Sequence, residues 1–278
     1  YTTLFRSYRL ASLTSVLDGA PELAKQGANA NELIIPMMSM DGLADYSRNG
    51  GYVQGGVTMT NETVKCNFDR GRRFDVDVMD DLETAGLAFG RLSAQFIRDK
   101  VVPELDAFRF ASYCGISGVT KKEETLADGA ATVAALSAAV TAMDDEEVTA
   151  TGRYLFITPT LLQGINDMDT TKSKKVLEGF EQVIKVPQRR FYTAIKQLSG
   201  KTGEEAGGYT KAAGAANINF AIVQKDALIQ YTKHAAPKII APENNPDADA
   251  YVFGYRMVGI AKAYKNMLSG MYFSHDKA

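Results

Sequence analysis

Polar and apolar positions alternate with a period of two through residues 50–81, GGYVQGGVTMTNETVKCNFDRGRRFDVDVMDD. Val57 and Met59 alternate with threonines. Val64, Cys66 and Phe68 alternate with Thr63, Lys65 and Asn67, and Phe74, Val76 and Val78 alternate with Arg73, Asp75 and Asp77. Every second residue of a strand shares a face, so the pattern predicts three consecutive antiparallel strands. The polar runs Asn61-Glu62 and Asp69-Arg70-Gly71-Arg72 are the predicted turns between them. These strands precede the first long helix and have little of their own chain to pack on. Two or three strands alone are marginal in water, so a second copy of the protein is expected to cover them. Excising residues 51–74 is then expected to leave a foldable subunit that no longer assembles.

The period next lengthens. Asp80 and Glu83 are spaced as a capping box, and Asp81 adds negative charge where a helix dipole favours it. Leu82, Ala85, Phe89, Leu92 and Phe96 follow at helical spacing. Pro103 removes a donor and is expected to kink or interrupt this helix. A second stretch with Leu105 and Phe108 on its apolar side ends near Tyr113, with Gly115 as the C-terminal cap. Helical throughout, residues 82–113 would extend about 48 Å. Val133, Leu136, Val140 and Met143 predict an amphipathic helix over 128–143. The acidic run Asp144-Asp145-Glu146-Glu147 after it reads as solvated surface. Residues 153–158 predict a buried strand, and Thr158-Pro159 the start of a short helix through Ile165. Further strands are expected at 182–186, 218–223, 251–260 and 271–273, with a glycine-rich loop over 199–216. Residues 1–31 read as an arm. Leu10, Leu13, Val16 and Leu17 allow a short helix that is marginal alone, leaving docking on a neighbour and a frayed terminus both open. No internal repeat is visible, and helices and strands without regular alternation predict an α+β fold.

Several segments together resemble the major capsid proteins of tailed bacteriophages. They are Gly50-Gly51-Tyr52, Gly56-Val57-Thr58, Glu62-Thr63, Asp69-Arg70-Gly71-Arg72 and the run from Phe74 through Val76-Asp77 to Met79-Asp80. The resemblance continues at Val102-Pro103-Glu104-Leu105-Asp106-Ala107, at Gly152-Arg153-Tyr154-Leu155-Phe156-Ile157-Thr158-Pro159 and at Asn244-Asn245-Pro246-Asp247-Ala248-Asp249-Ala250. It then runs through Tyr255-Arg256 to Gly270-Met271-Tyr272-Phe273-Ser274-His275. It implies the Hong Kong phage-type capsid fold: an N-terminal arm (1–31), an extended β-loop (32–79), a peripheral domain with a long spine helix (80–117 and 233–278) and an axial domain (118–232). It also implies the function: hexamers and pentamers of this chain closing an icosahedral head around double-stranded DNA. Portal and scaffolding proteins are the further partners implied, in a virion assembled in the host bacterial cytoplasm. An encapsulin-like compartment shell with the same fold is the alternative.

Composition narrows the partners. The chain has 278 residues, 45% of them hydrophobic and 23% charged, ordinary values for a globular protein. Its 31 basic and 33 acidic residues give a net charge of −2, without the basic excess that tight phosphate binding calls for. Packaged DNA would therefore be enclosed without sequence-specific binding. No apolar run approaches a membrane span. Cys66 and Cys114 lack metal spacing, and free thiols are the simpler expectation. The chain starts at Tyr1, so loss of an upstream piece by maturation or trimming is expected.

No catalytic constellation emerges, and no cofactor or metal is expected. His234 and His275, the only histidines, lack locally spaced ligand partners. Ser199-Gly200-Lys201-Thr202 imitates the end of a phosphate-binding loop, but position 195 is isoleucine where the loop needs glycine. The alternation separates Asp75 and Asp77 from the helix-start pair Asp80 and Asp81, which argues against an ion site. The mixed-sign block Arg70, Arg72, Arg73, Asp75 and Asp77, with Tyr52, Val57 and Met59, is instead the expected subunit interface. Arginine forks bind carboxylates in a bidentate way that fixes orientation.

Overall fold

Gly71 explains why the polar run at 69–72 does not turn. A Cβ at this position would lie 2.9 Å from the Tyr255 carbonyl oxygen, so the glycine serves close approach of two strands. Pairing runs straight through it, from Phe68 opposite Gly259 to Asp77 opposite Ala250, with Gly71 opposite Arg256. The predicted turn at Asn61-Glu62 is likewise absent, because these residues pair with Pro36 and Ile35 inside one continuous strand. The three predicted strands are thus two, and they do not pair with each other.

The computed structural model describes residues 11–19, 25–26, 32–79, 87–168 and 171–277. The predicted capping box of Asp80 and Glu83, with Asp81, Leu82 and Ala85, lies outside these residues, as do residues 1–10 of the arm and the Phe89 side chain. In chain order the elements are β1 (Lys25–Gln26), β2 (Glu32–Met40), β3 (Val57–Lys65), β4 (Phe68–Asp77) and α1 (Leu87–Phe96). A π-helical turn (Ile97–Val101) leads into α2 (Val102–Cys114). Then come β5 (Thr120–Glu123), α3 (Gly129–Asp145), β6 (Arg153–Ile157), α4 (Pro159–Asp167), α5 (Thr171–Glu178) and β7 (Gln182–Lys185). The chain closes with β8 (Ile195–Gln197), β9 (Tyr209–Lys211), β10 (Ile218–Gln224), β11 (Leu228–Ile240), β12 (Ala250–Ala263) and β13 (Met271–His275).

Two compact units result, residues 20–67 and residues 1–19 with 68–278. The smaller holds the sheet β1-β2-β3. The larger holds a five-stranded sheet, β5-β13-β10-β6-β7, a three-stranded sheet, β11-β12-β4, and the hairpin β8-β9. Both faces of the five-stranded sheet are covered. Phe110 and Tyr113 of α2 meet Tyr154, Phe156 and Phe273 on one side. Leu136 and Met143 of α3 and Ile165 of α4 meet Leu155, Ile157 and Phe220 on the other. Burial on two faces is why β6 and β10 are buried at every position and why residues 154–157 and 220–223 within them read as apolar runs. The three-stranded sheet is covered on one face, where Phe68, Phe253, Tyr255 and Met257 pack with Ile97, Val102 and Leu105. Helix α2 therefore belongs to both cores.

Pro103 acts through the turn ahead of it. It has no N–H for the carbonyl one turn back, and the chain takes a π turn there while Phe96, Val101 and Val102 keep right-handed helical dihedrals. Gly115 caps α2, but at φ −72°, so a left-handed cap is not used. Thr158 stands at the N-cap of α4 without a side-chain capping bond. Asp128 does cap α3, accepting from the Ala131 N–H at 2.8 Å. The two cysteines form no disulfide, and burial pushes the Cys114 thiol up to about 11.

The described part of the arm docks on its own chain. Residues 13–17 form a 3-10 turn over a buried polar cluster. Asp106, fully buried, accepts from Ser12 Oγ at 2.7 Å, the Leu13 N–H at 3.1 Å, the Thr14 N–H at 3.3 Å and Thr14 Oγ1 at 2.8 Å. Arg190 Nη1 completes the set at 3.3 Å. Beside it Arg109 pairs with Asp18 at 3.2 Å and donates to Thr14 Oγ1 and Thr232 Oγ1.

Candidate subunit-interface surfaces

The smaller unit shows an apolar surface that its own strands do not cover. Antiparallel register places Met38 opposite Met59 and Met40 opposite Val57. Alternation puts all four side chains on one face, with Ser39, Thr58 and Thr60 on the other. The tip is closed by Asp41, whose Oδ2 accepts from the Gly56 N–H at 2.7 Å. Within it the Gly51 N–H donates to the Ser47 carbonyl at 2.8 Å, with Gly51 at φ +71°. The rings of Tyr46 and Tyr52 lie 4.9 Å apart. Exposure is high throughout: 57% at Met38, 66% at Met40, 69% at Met59 and 90% at Tyr52. Leu43, Tyr46, Val53 and Val57 are exposed as well. Contiguous apolar surface of this kind marks an interaction site far more often than bulk surface.

Of the sequence-predicted residues, Tyr52, Val57 and Met59 belong to this surface. Met38, Met40, Leu43, Tyr46 and Val53 were missed. Met38 and Met40 sit in Leu33-Ile34-Ile35-Pro36-Met37-Met38, where the apolar run hides the alternation and Pro36 argues against a strand. Among the described residues β1 pairs with Leu33 and Ile34, and Pro36 lies opposite Asn61 of β3.

The charged block on β4 divides between two faces. Arg70 and Arg72 share the face of Phe68 and Phe74, and both are engaged within the larger unit. Arg70 donates from Nε to Glu104 Oε1 at 2.8 Å and from Nη2 to the carbonyls of Leu198 and Gly208 at 2.7 and 3.3 Å. It thereby ties β4 to α2 and to the β8–β9 hairpin. Arg72 Nη2 donates to the Glu205 carbonyl at 2.8 Å. On the opposite, exposed face Arg73 pairs with Asp75 at 2.8 Å, and Asp77 accepts from the Met79 N–H at 2.8 Å. Arg256 joins this face through a bidentate pair with Asp69 at 2.6 and 2.9 Å. That hydrogen-bonded guanidinium holds the Asp69 carboxyl below its ordinary range.

The glycine-rich loop is not a phosphate cradle, because its amides are in use. Glu204 Oε2 accepts from the Ser199 N–H at 2.7 Å, Glu205 Oε1 from the Gly203 N–H at 2.8 Å, and Ser199 Oγ from the Lys201 N–H at 3.3 Å. Lys196 pairs with Glu204 at 2.6 Å, and these bonds, that from Lys196 first, draw the Glu204 carboxyl down to about 2. Gly200 and Gly207 take φ +71° and +64°, and a Cβ on either would stand 2.9 or 3.1 Å from Arg72 Nη1. The arginine end can move, so the backbone sets the cost. Gly207→Ala is expected to lose about 1–2 kcal/mol, measured as a shift in urea midpoint, and adding Arg72→Ala should restore little of it. Restoration of most of the loss would make the side-chain clash, not the dihedral, responsible.

Among the described residues no group of three or more His, Cys, Asp or Glu is placed to hold a metal ion, and no helix is long and apolar enough to cross a membrane.

No protein-family model matches the sequence, and no curated protein matches it. Solved structures do match its fold. The capsid structure of the cyanophage P-SCSP1u superposes with a TM-score of 0.59 at 11% identity, over 91% of this chain and 86% of that one. The mature capsid of bacteriophage PhiM1 gives 0.56 at 10% identity, over 89% and 82%. A virus-like particle from Pyrococcus furiosus gives 0.55 at 9% identity, over 97% and 98%.

Proposed function

We propose that this chain, which has the fold of phage capsid proteins, is the major capsid protein of a tailed double-stranded DNA phage. Copies of it assemble into hexamers and pentamers of an icosahedral head. The observation that carries the proposal is the exposed Met38–Met40–Val57–Met59 face on a chain whose fold matches solved phage capsids. Residues 32–67 act as the extended loop after an arm at 1–31, α1 through α2 as the spine helix, 118–232 as the axial domain, and 68–117 with 233–278, which holds the β4–β12 pairing, as the peripheral domain. Around each ring the contacts are head-to-tail, so two different patches of one chain meet until the ring closes. The Arg73, Asp75 and Asp77 strip, extended by Asp69 and Arg256, presents its exposed, internally paired charges to a neighbour. Exposed pairs of this kind contribute little attraction because solvent screens them, so the strip sets alignment and the apolar face supplies most of the attraction. The role is mechanical rather than enzymatic. Portal and scaffolding proteins act with it during assembly in the bacterial cytoplasm, and the head encloses DNA without reading its sequence.

Coverage of 97% of this chain by the Pyrococcus furiosus particle favours one second reading, an encapsulin-like compartment shell. Negative-stain electron microscopy of the expressed chain tests both, with closed shells expected. Particles from the native source that hold DNA favour the capsid, and particles that hold a protein cargo favour the compartment. A protein that stays monomeric at high concentration with its apolar face exposed would refute both.

A further inference from the structure

A cleft of about 810 Å³ opens in the larger unit between β4, the α1–α2 helical segment and the β8–β9 hairpin. Its floor is apolar, made by Phe68, Phe74, Leu92, Phe96 and Met257. Its rim is basic. Arg72, Lys100, Arg189 and Lys211 line it and are all exposed. The two acids of the lining are already neutralised, Glu104 by Arg70 at 2.8 Å and Asp99 by Arg98 at 3.0 Å. Among the described residues no carboxylate lies within ion-pair distance of the four rim cations. Lys211 instead donates to Asn217 Oδ1 and lies over the Tyr192 ring.

We propose that this cleft receives a short acidic peptide segment of a partner protein, with an aromatic or leucine side chain seated on the floor and carboxylates facing the rim. The volume falls in the range of ligand sites. Strand β4 ends its sheet, pairing among described residues only with β12, so an extended chain can lie along its open edge. A phosphate ligand fits less well, since the amides of Ser199, Lys201 and Gly203 already have acceptors. The proposal stands whether or not the chain builds a shell.

Fluorescence anisotropy on the full chain tests it. The probe is a fluorescein-labelled decapeptide of aspartate and glutamate around a central Phe-Ser-Leu. Saturable binding is expected, weakened about tenfold by Lys100→Glu with Arg189→Glu, and lost when the probe's Phe and Leu become Ser. Circular dichroism should show the double variant folded. Several results would overturn the proposal: no binding at millimolar probe, equal binding by the double variant, or equal binding of a probe with Asn and Gln for its acids. Tighter binding of a peptide copying residues 40–46 would also overturn it, by making a second copy of this chain the occupant.

Discussion

Asp106→Ala is expected to destabilise the larger unit by about 3–5 kcal/mol, the range found when one member of a buried charged pair is removed. The carboxylate is fully buried and is the shared acceptor for Ser12, Leu13, Thr14 and Arg190. Its loss strands several donors at once, each with a desolvation cost of about 1–3 kcal/mol if no substitute is found. Relaxation releases part of this, because the segment at 12–18 can lift away and let water in. Two readouts should therefore move together: a lower urea midpoint, and new protease cleavage near residues 12–18. Asp106→Asn keeps the shape and one acceptor oxygen, and should fall between wild type and the alanine variant. A loss under about 1 kcal/mol for Asp106→Ala would mean that the cluster contributes little to holding the segment down.

That cluster was invisible in the sequence for a physical reason. Asp106 sits on an ordinary helical pattern, and its partners come from residues 12–14 and 190, joined only by the tertiary fold. Local periodicity reports which face of an element is buried, but not which polar group waits there. The same limit explains β4. Its alternation was legible, and Phe68 and Phe74 do face the core, yet its partner is β12, far along the chain, and not the adjacent β3. Gly71 lies in a polar run whose composition predicts a turn, whereas the close backbone of the neighbouring strand is what requires a glycine there. Strand β11 and helix α5 carried too little contrast to be read. The first mixes half-buried positions with Lys233, Pro237 and Lys238, and the second is the lysine-rich Thr171-Lys172-Ser173-Lys174-Lys175 run. Elements buried on both faces, β6 and β10, or with a clear apolar stripe, α3, were legible because burial there follows sequence spacing directly. Of the exposed apolar face, the residues on β3 are legible and those beside them on β2 are not. Arg70, read as reaching a neighbour, is bound to Glu104 and two carbonyls of its own chain.

Pairing of β4 with β12 also changes how the assembly role is tested. Excising residues 51–74 would remove most of β4, including Phe68 of the buried core, so the cut is expected to unfold the larger unit rather than free it from assembly. Side-chain replacement isolates the surface instead. Threonine at positions 38, 40, 57 and 59 keeps strand propensity and removes the apolar face. Burying such side chains is worth about 1.5–3 kcal/mol each, and threonine's methyl keeps part of that, leaving a net loss of about 1 kcal/mol per position. Four positions weaken each contact by about 4 kcal/mol, roughly 10³-fold in its equilibrium constant. A shell multiplies this, since a subunit holds several contacts at once and loses the benefit of their linkage when each is weak. The variant M38T/M40T/V57T/M59T is thus expected to purify as soluble, folded subunits with an unchanged thermal midpoint for the larger unit and no particles in electron micrographs. Particles of normal yield and diameter would show that the face plays no part in assembly. A variant that loses its circular dichroism would identify the face as part of the fold, and would equally end its assignment to a neighbour.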